Sequence, residues 1–148
     1  MNILLTTDFS KDSEAAIDYT LKLAIELKSF PQLTVLHCID YLSSSRLYYG
    51  LGIDIENILL NSEEEANKLI SEIKFKFFND KMNVNTKVLR SERSVGSEIV
   101  RYAEQNKFDL LIISRKGQTA LAHVLFGSVS EYVVRHASVP VILVPVIT

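Results

Sequence analysis

Residues 109–129 read DLLIISRKGQTALAHVLFGSV, and the organisation of the whole chain follows from them. A run of leucine and isoleucine that stops at Ser114 predicts a buried strand ending in a turn. Further along, Gly127 and Ser128 precede an apolar-periodic segment, which is a signal for the start of a helix. The unpaired N–H groups of a helix start carry partial positive charge, and a neighbouring glycine lets an anion approach them. This stretch is therefore a candidate phosphate-binding site.

Length and composition indicate one globular domain spanning residues 1–148. Hydrophobic residues make up 47% and charged residues 23% of the chain, and the formal charge is −2. Because no basic block stands out, nucleic acid is not expected as a partner. The single Cys38 excludes an internal disulfide and a multi-cysteine metal site. No apolar run is long enough to cross a membrane and no signal peptide precedes the first strand, so we expect a cytoplasmic protein with no membrane partner.

The periodicity of apolar residues divides most of the chain into alternating strands and helices. Strands are predicted at residues 2–6, 33–39, 84–89, from residue 109, and at 141–146. Helices are predicted at residues 11–28, 63–79, 96–105 and from residue 128. Ser10 is the expected N-cap of the first helix, with Asp12 in its first turn. Ser62, which three glutamates follow, is the expected capping box of the second helix.

This order predicts an α/β fold: one doubly wound domain with a five-stranded parallel sheet and helices on both faces. In such sheets ligands bind at the carboxyl ends of the strands, where the strand order reverses. With the order 3-2-1-4-5, strands 1 and 4 flank that point. Asp8 follows strand 1 and Gly117 follows strand 4. The two polar motifs are therefore expected to face each other across one crevice.

Residues 40–61 form a connection that the periodicity does not explain. A connection of this length inside a compact domain is unusual and often functional. It could carry a short helix of its own. Residues 48–50 read YYG and could either cover a bound base or belong to an ordered loop. The sequence does not distinguish these two possibilities.

The chain lacks the common motifs for phosphate binding and for catalysis. Gly-x-Gly-x-x-Gly is absent, and Lys116 precedes a glycine instead of following one as in the Walker pattern. No Ser-His-Asp, Cys-His or paired-carboxylate arrangement can be argued. From the residues alone, Asp8 could simply help to cap the first helix, and Gly117 and Gly127 could be turn glycines with no ligand. His37 is expected to be a structural strand histidine, without a catalytic or ligand-binding role.

Four motifs together resemble the universal stress protein family, over nearly the whole chain. Residues 7–10 read TDFS after strand 1, and residues 36–38 read LHC where the family has Leu-His-Val. Residues 135–144 resemble the closing helix and strand of the family. Nucleotide-binding members carry Gly-x2-Gly-x9-Gly-Ser/Thr, which matches Gly117, Gly127 and Ser128 in spacing. Ser114 stands where that motif has its first glycine.

The resemblance implies binding of ATP or AMP, with Mg²⁺ held through the phosphates, and no catalytic or protein-bound metal site. It implies that the Asp8 carboxylate meets the ribose hydroxyls, that the backbone near Cys38 touches the adenine, and that Thr6 lines the base side. A Cβ at Ser114 could crowd the ribose, in which case Ser114→Gly would tighten binding. If that variant binds no better, the serine is accommodated and could donate a hydrogen bond of its own. Slow ATP hydrolysis would be compatible with this function, but the chain is not expected to be an enzyme.

The phosphates are implied to lie against the second half of the motif. Gly117, Gly127, Ser128 and Val129 would provide backbone N–H groups, and Ser128 would add its hydroxyl. The predicted function is thus an ATP- or AMP-binding regulatory module of the stress response. The alternative is a dimeric stress or adaptor protein of the same fold that does not bind nucleotide.

The last strand predicts a homodimer. Residues 141–146 are apolar on both faces, and in the order 3-2-1-4-5 they form an edge of the sheet. An apolar edge is a pairing hazard unless something covers it, and charged residues, the usual protection, are absent from residues 139–148. The same strand of a second copy is the simplest cover, and the resemblance also implies dimerisation through this strand. Pro145 and a local loop could instead keep the chain monomeric.

Overall fold

The computed structural model describes residues 1–27, 31–41, 45, 48, 51, 54–78, 82–118 and 125–145. Within them the chain forms five strands and four helices in strict alternation. The elements are β1 (Asn2–Thr6), α1 (Lys11–Glu26), β2 (Gln32–Asp40), α2 (Ile55–Phe78), β3 (Asn83–Ser91), α3 (Val95–Gln105), β4 (Leu110–Ser114), α4 (Ser128–His136) and β5 (Val141–Val144). The predicted ends at residues 28, 79 and 146, and residues 42–44, 46, 47, 49, 50, 52 and 53 of the connection at 40–61, lie outside the described residues. None of the described helices has the length and apolarity needed to span a bilayer.

The strands form one parallel sheet in the order β3-β2-β1-β4-β5, which confirms the predicted fold and strand order. The central strand β1 pairs with β2 on one side and with β4 on the other. Its residues Ile3, Leu4 and Leu5 are fully buried, as expected for a parallel strand covered on both faces. The strand order reverses between β1 and β4, so the carboxyl ends of these strands border the switch point of the sheet.

Each face of the sheet carries its own apolar core. Ile3 and Leu5 of β1 face α1 and α2, where Ile17 and Phe77 are buried. Leu4 points to the opposite face, because side chains alternate along a strand, and packs in the core that includes Val133 of α4. The helices therefore lie on both faces, as predicted.

The start of α1 follows the predicted capping. Ser10 has extended backbone angles and its Oγ accepts a hydrogen bond from the N–H of Ser13 at 3.1 Å. Asp12 and Glu14 lie in the first turn, where their charge favours the positive end of the helix dipole. The helix ends at Glu26, and Leu27 already has extended angles.

The start of α2 differs from the prediction, which placed it at residue 63 with Ser62 as the cap. The helix begins at Ile55, and Ser62 lies in its interior, where its Oγ donates to Ile58 O at 2.9 Å. Asp54 supplies the cap, because its Oδ1 accepts from the N–H of Glu56 at 3.1 Å. The buried Leu59 extends the apolar face of the helix back to this turn. The capping-box prediction was wrong because a cap upstream and an additional buried contact favour a longer helix.

Arg90 connects this added part of α2 to the sheet. Its guanidinium, at the carboxyl end of β3, bonds Glu63 at 2.5 Å and Glu56 at 2.8 Å. Such partly exposed pairs contribute little to stability one at a time. Their effect here is geometric, since they hold the first half of α2 beside the carboxyl ends of the strands, where the candidate site lies.

Candidate functional site

A cavity of about 500 Å³ opens at the carboxyl ends of β1, β2 and β4. A volume of this order suits a small-molecule ligand. Every binding residue predicted from the sequence lies in its wall: Thr6, Asp8, Cys38, Ser114, Gly117, Gly127, Ser128 and Val129. The fold thus brings together residues from the ends of three strands and from the start of α4, as the parallel topology predicts.

Part of the cavity lining is apolar, and the sequence reasoning missed most of it. Apolar residues of α2, α3 and β2 contribute to it, next to the polar Ser62 and Glu65 of α2: Ala66, Leu69, Val95, Ile99 and Cys38. We refer to these five apolar residues as the apolar end of the cavity. Ala66 and Leu69 recur at helical spacing, so in sequence they cannot be distinguished from ordinary core residues. Their place in a cavity wall depends on how α2 packs over the strand ends. An apolar wall of this kind fits a flat aromatic group.

Cys38 acts as a small apolar part of this wall. Burial of the thiol, with a smaller contribution from the negative charge of Glu98, raises its pKa to about 12. The thiol therefore stays protonated at neutral pH and is a poor nucleophile. This agrees with the resemblance, in which a valine occupies the corresponding position.

Asp8 connects the loops that follow β1 and β4. Its Oδ1 accepts from the N–H of Ser10 at 3.1 Å and from the Ser10 hydroxyl at 2.5 Å. Its Oδ2 accepts from the N–H of Gln118 at 2.8 Å, and Gln118 Nε2 donates to Asp8 O at 2.6 Å. Asp8 is therefore more than a cap for α1, because half of its contacts join it to a loop far away in sequence.

The backbone next to Asp8 adopts an unusual conformation. Phe9 has a φ of 61°, in the left-handed region that costs about 1–2 kcal/mol for a residue with a Cβ. Two contacts compensate for it. The N–H of Phe9 donates to Thr7 Oγ1 at 3.0 Å, and the Phe9 ring lies against the His37 ring with centroids 4.3 Å apart. This turn directs the Asp8 carboxylate towards the loop after β4.

His37 is held as a neutral strand histidine. Its Nδ1 lies 2.9 Å from Thr7 O, and since a carbonyl oxygen only accepts, Nδ1 carries the proton. Burial lowers the pKa of His37 below its ordinary value, although the bond to Thr7 O and the charge of Asp8 act in the opposite direction. The ring also lines the cavity, next to Asp8 and Phe9. His37 thus presents a neutral ring to a ligand and no positive charge.

The start of α4 brings polar backbone groups to the cavity lining. Gly127 occupies the N-cap position, and no side chain of the described residues caps the helix. The N–H of Gly127 donates to Arg115 O at 2.9 Å, and Ser130 Oγ donates to the same oxygen at 2.6 Å. These bonds close the two ends of the loop between β4 and α4. The N–H groups of Ser128 and Val129, in the first helical turn, have no partner within the helix and lie at the cavity.

The two motif glycines are explained by different contacts. A Cβ on Gly117 would overlap Asp8 Oδ2, so this glycine allows the contact between the two loops. A Cβ on Gly127 would meet its nearest described atoms, Gly117 N and Lys116 Cα, at 3.5 Å, which is ordinary contact. The φ of Gly127 is −73°, which any residue can adopt. Packing within the described residues therefore does not require a glycine at position 127, and its small size leaves the adjacent N–H groups accessible.

Ser114, which replaces the first glycine of the motif, is accommodated by its own loop. Its Oγ donates to Lys116 O at 2.8 Å, and the residue is only 7% exposed. The hydroxyl thus closes the turn after β4 instead of extending freely into the cavity. This arrangement favours a serine that organises the loop over one that crowds the ligand.

We expect Ser114→Gly to weaken nucleotide binding by about tenfold, contrary to the crowding hypothesis. The variant loses the hydrogen bond that closes the loop after β4 and gains backbone freedom, so ordering this loop around the ligand would cost on the order of 1 kcal/mol more. Ser114→Ala keeps the Cβ and loses only the hydrogen bond, so it should have a smaller effect. Titration calorimetry with ATP on the three proteins measures this. Tighter binding by the glycine variant together with unchanged binding by the alanine variant would instead establish crowding.

Residues 1–145 match the model of the universal stress protein family, and the chain belongs to this family. It is 30% identical to universal stress protein MJ0577 of Methanocaldococcus jannaschii, over 96% of this chain and 93% of that protein. The solved structure of MJ0577 superposes with a TM-score of 0.86 and 26% identity, over 99% of this chain and 96% of that one. The family and the fold expected from the sequence are thus confirmed.

Two more distant structures share the fold and contain a nucleotide. The universal stress protein of Archaeoglobus fulgidus in complex with dAMP has a TM-score of 0.67 and 19% identity, over 97% of both chains. A universal stress protein family protein from Arabidopsis thaliana with AMP bound has a TM-score of 0.67 and 15% identity, over 98% of this chain and 91% of that one. At these identities the likeness establishes the fold alone.

Proposed function

We propose that this chain is a nucleotide-binding regulatory module of the stress response and that its ligand is ATP or AMP. The observation that carries the proposal is the convergence of all eight motif residues on one cavity of ligand size. These residues come from separate segments. Among the contacts of the described residues, Gly117 and Asp8 join two loops. Ser114 closes its own turn and Gly127 helps to close the loop between β4 and α4, and within the described part of the chain the remaining four residues have no such role. The accessible helix start and the apolar end have no evident purpose without a ligand that carries both an anionic and an aromatic group.

The proposed ligand lies with its base at the apolar end and its phosphates at the start of α4. Cys38 and Thr6 would border the base, and Asp8 would accept a hydrogen bond from the ribose. The N–H groups of Ser128 and Val129 would bind the phosphates, with favourable electrostatics from the helix dipole. Lys116, which also lines the cavity, adds a positive charge on this side.

Mg²⁺ would enter the site with the phosphates. The described residues contain no group of three or more His, Cys, Asp or Glu side chains that could hold a metal ion. A divalent cation bound mainly by phosphate oxygens and water needs no such group. Its role here would be to neutralise phosphate charge near Asp8 and Asp40, two acidic residues that line the cavity.

The nucleotide-bound relatives support the proposal at the level of the fold. The Archaeoglobus fulgidus protein is in complex with dAMP and the Arabidopsis thaliana protein has AMP bound. A fold of this kind therefore holds adenine nucleotides in at least these two members. The proposal extends that property to this chain on the basis of its own cavity.

We propose that the protein regulates through its nucleotide-bound state and not through hydrolysis of the nucleotide. Within the described part of the cavity, Asp8 already accepts from Ser10 and Gln118, and His37 donates to Thr7 O. These bonds explain both residues by the loops that they join, and they give no reason to assign turnover. The chain would act in the cytoplasm as a homodimer through β5, and the nucleotide would determine the state that a protein partner recognises.

The function is tested by identifying what the purified protein binds. Mass spectrometry of nucleotide released on denaturation, followed by titration of the emptied protein with ATP and with AMP, is expected to reveal an adenine nucleotide and saturable binding. Guanosine triphosphate serves as the control for the apolar end. If no nucleotide is released and neither ligand binds, the chain is the nucleotide-free adaptor of the same fold.

A further inference from the structure

We propose that Gln118 is a positioning residue that holds Asp8 so that the carboxylate accepts a hydrogen bond from one ligand hydroxyl and not from two. The inference rests on the proposed function, because it concerns how the same site binds a sugar. It gives a specific role to a residue that no motif includes. It also limits the ligand to one with a single essential hydroxyl at this position.

The Asp8 carboxylate has a limited capacity to accept hydrogen bonds. An ionised carboxylate accepts about four hydrogen bonds, two on each oxygen. Among the described residues, Oδ1 already accepts two, from the N–H and the hydroxyl of Ser10. Oδ2 accepts one, from the N–H of Gln118. One acceptor position therefore remains, on Oδ2, the oxygen that faces the loop after β4.

Gln118 fixes this oxygen in place. Its N–H and its Nε2 bond the side chain and the main chain of Asp8, at 2.8 Å and 2.6 Å. The missing Cβ of Gly117 allows this approach, since a Cβ there would overlap Oδ2. Both contacts belong to a loop 110 residues away in sequence, so they orient Asp8 relative to the phosphate side of the cavity.

The single remaining acceptor position restricts how a ligand with two neighbouring hydroxyls can bind. To accept from both, the carboxylate would have to release Gln118 or Ser10, leaving a donor without its partner. The arrangement instead favours one charge-assisted bond from a single hydroxyl. Removal of one of the two ribose hydroxyls would then weaken binding of the nucleotide, and removal of the other would leave the affinity unchanged.

The test measures the dissociation constants of ATP, 2′-deoxy-ATP, 3′-deoxy-ATP and 2′,3′-dideoxy-ATP. We expect one monodeoxy nucleotide to bind like ATP and the other to bind about tenfold more weakly, the scale of one hydrogen bond to a charged group. The dideoxy nucleotide should equal the weaker of the two. Losses for both monodeoxy nucleotides that combine in the dideoxy nucleotide would overturn the single-hydroxyl assignment.

Variants of Gln118 separate positioning from general stability. Gln118→Pro removes the N–H that bonds Oδ2, and the matched Gln118→Ala keeps it. The ratio of ATP to dideoxy-ATP affinity is expected to fall from about tenfold to about twofold in the proline variant, with dideoxy-ATP affinity unchanged. The alanine variant should keep most of the ratio. Equal weakening of both nucleotides in the proline variant would mean a merely structural role and would overturn the proposal.

Amide hydrogen exchange keeps the proposal testable if the proline variant does not fold. In the wild-type protein the Gln118 amide should exchange slowly, both empty and saturated with ATP, and rapidly in Asp8→Ala. Rapid exchange in the empty protein, or a large acceleration by ATP, would refute the positioning role. If no nucleotide binds at all, the proposed function is wrong and the proposed selection of one hydroxyl is wrong with it. Amide hydrogen exchange in the empty protein still decides whether Gln118 holds Asp8.

Discussion

Replacement of Gly127 by valine is expected to abolish nucleotide binding. In the structure the nearest described atoms to a Cβ at this position are 3.5 Å away, so a Cβ fits beside the first turn of α4 in ordinary contact. A valine would fill that space and keep phosphate oxygens away from the N–H groups of Ser128 and Val129. Loss of two charge-assisted hydrogen bonds costs about 3–6 kcal/mol, which is a hundredfold or more in affinity.

Gly127→Ala is the matched control for this prediction. Its single methyl group makes only ordinary contacts, and the φ of −73° suits alanine as well as glycine. The alanine variant should therefore fold normally and bind with intermediate affinity. Calorimetric titration with ATP, together with urea unfolding of each protein, separates lost binding from lost stability. Wild-type affinity in a folded Gly127→Val protein would show that the phosphates do not lie at the start of α4.

A charge placed on β5 is expected to convert the proposed homodimer into a monomer. β5 pairs with β4 on one side and is an edge of the sheet on the other. Val141, Ile142 and Leu143 are only partly buried in the single chain. An antiparallel β5 from a second copy would cover them and would satisfy the outer N–H and C=O groups. A charge buried in that interface without a partner costs several kcal/mol.

The burial of each β5 residue determines which substitutions can test whether β5 forms the dimer interface. Val144 is 6% exposed and packs in the core under α1, so a charge there would unfold the chain and report nothing about assembly. Ile142→Glu and Leu143→Lys are suitable, because both residues are only partly buried. Phe75→Lys on α2 is the control, since Phe75 is 71% exposed and α2 packs against the opposite edge of the sheet.

Light scattering at micromolar concentration should give about twice 16.7 kDa for the wild type and for Phe75→Lys. Ile142→Glu and Leu143→Lys should each give a mass near 16.7 kDa, with circular dichroism unchanged. A monomeric wild type would refute the dimer itself. If both variants fold and remain dimeric, the dimer interface does not lie at β5.

The sequence alone determined the fold and the location of the candidate site. Strands that alternate with helices indicate a parallel sheet with right-handed crossovers, and the order 3-2-1-4-5 expected for it is the observed order. With that order, Asp8 and Gly117 fall on the two sides of the switch point. Ser10 could be identified as a cap because capping depends on residues within one turn. Each of these inferences uses signals that are local or periodic.

The tertiary structure alone decided how the site is built. The apolar wall from Ala66 and Leu69 and the bonds between Asp8 and Gln118 have no signature in the sequence. In each case the deciding contact joins residues far apart in the chain, and their distance is set only when helices pack on the assembled sheet. Ser114 shows that even a contact over two residues can escape sequence reasoning. In sequence the serine suggested a clash with the ligand, whereas in the structure its hydroxyl bonds Lys116 O. Periodicity and caps are properties of one segment, whereas a binding cavity is a property of how several segments meet.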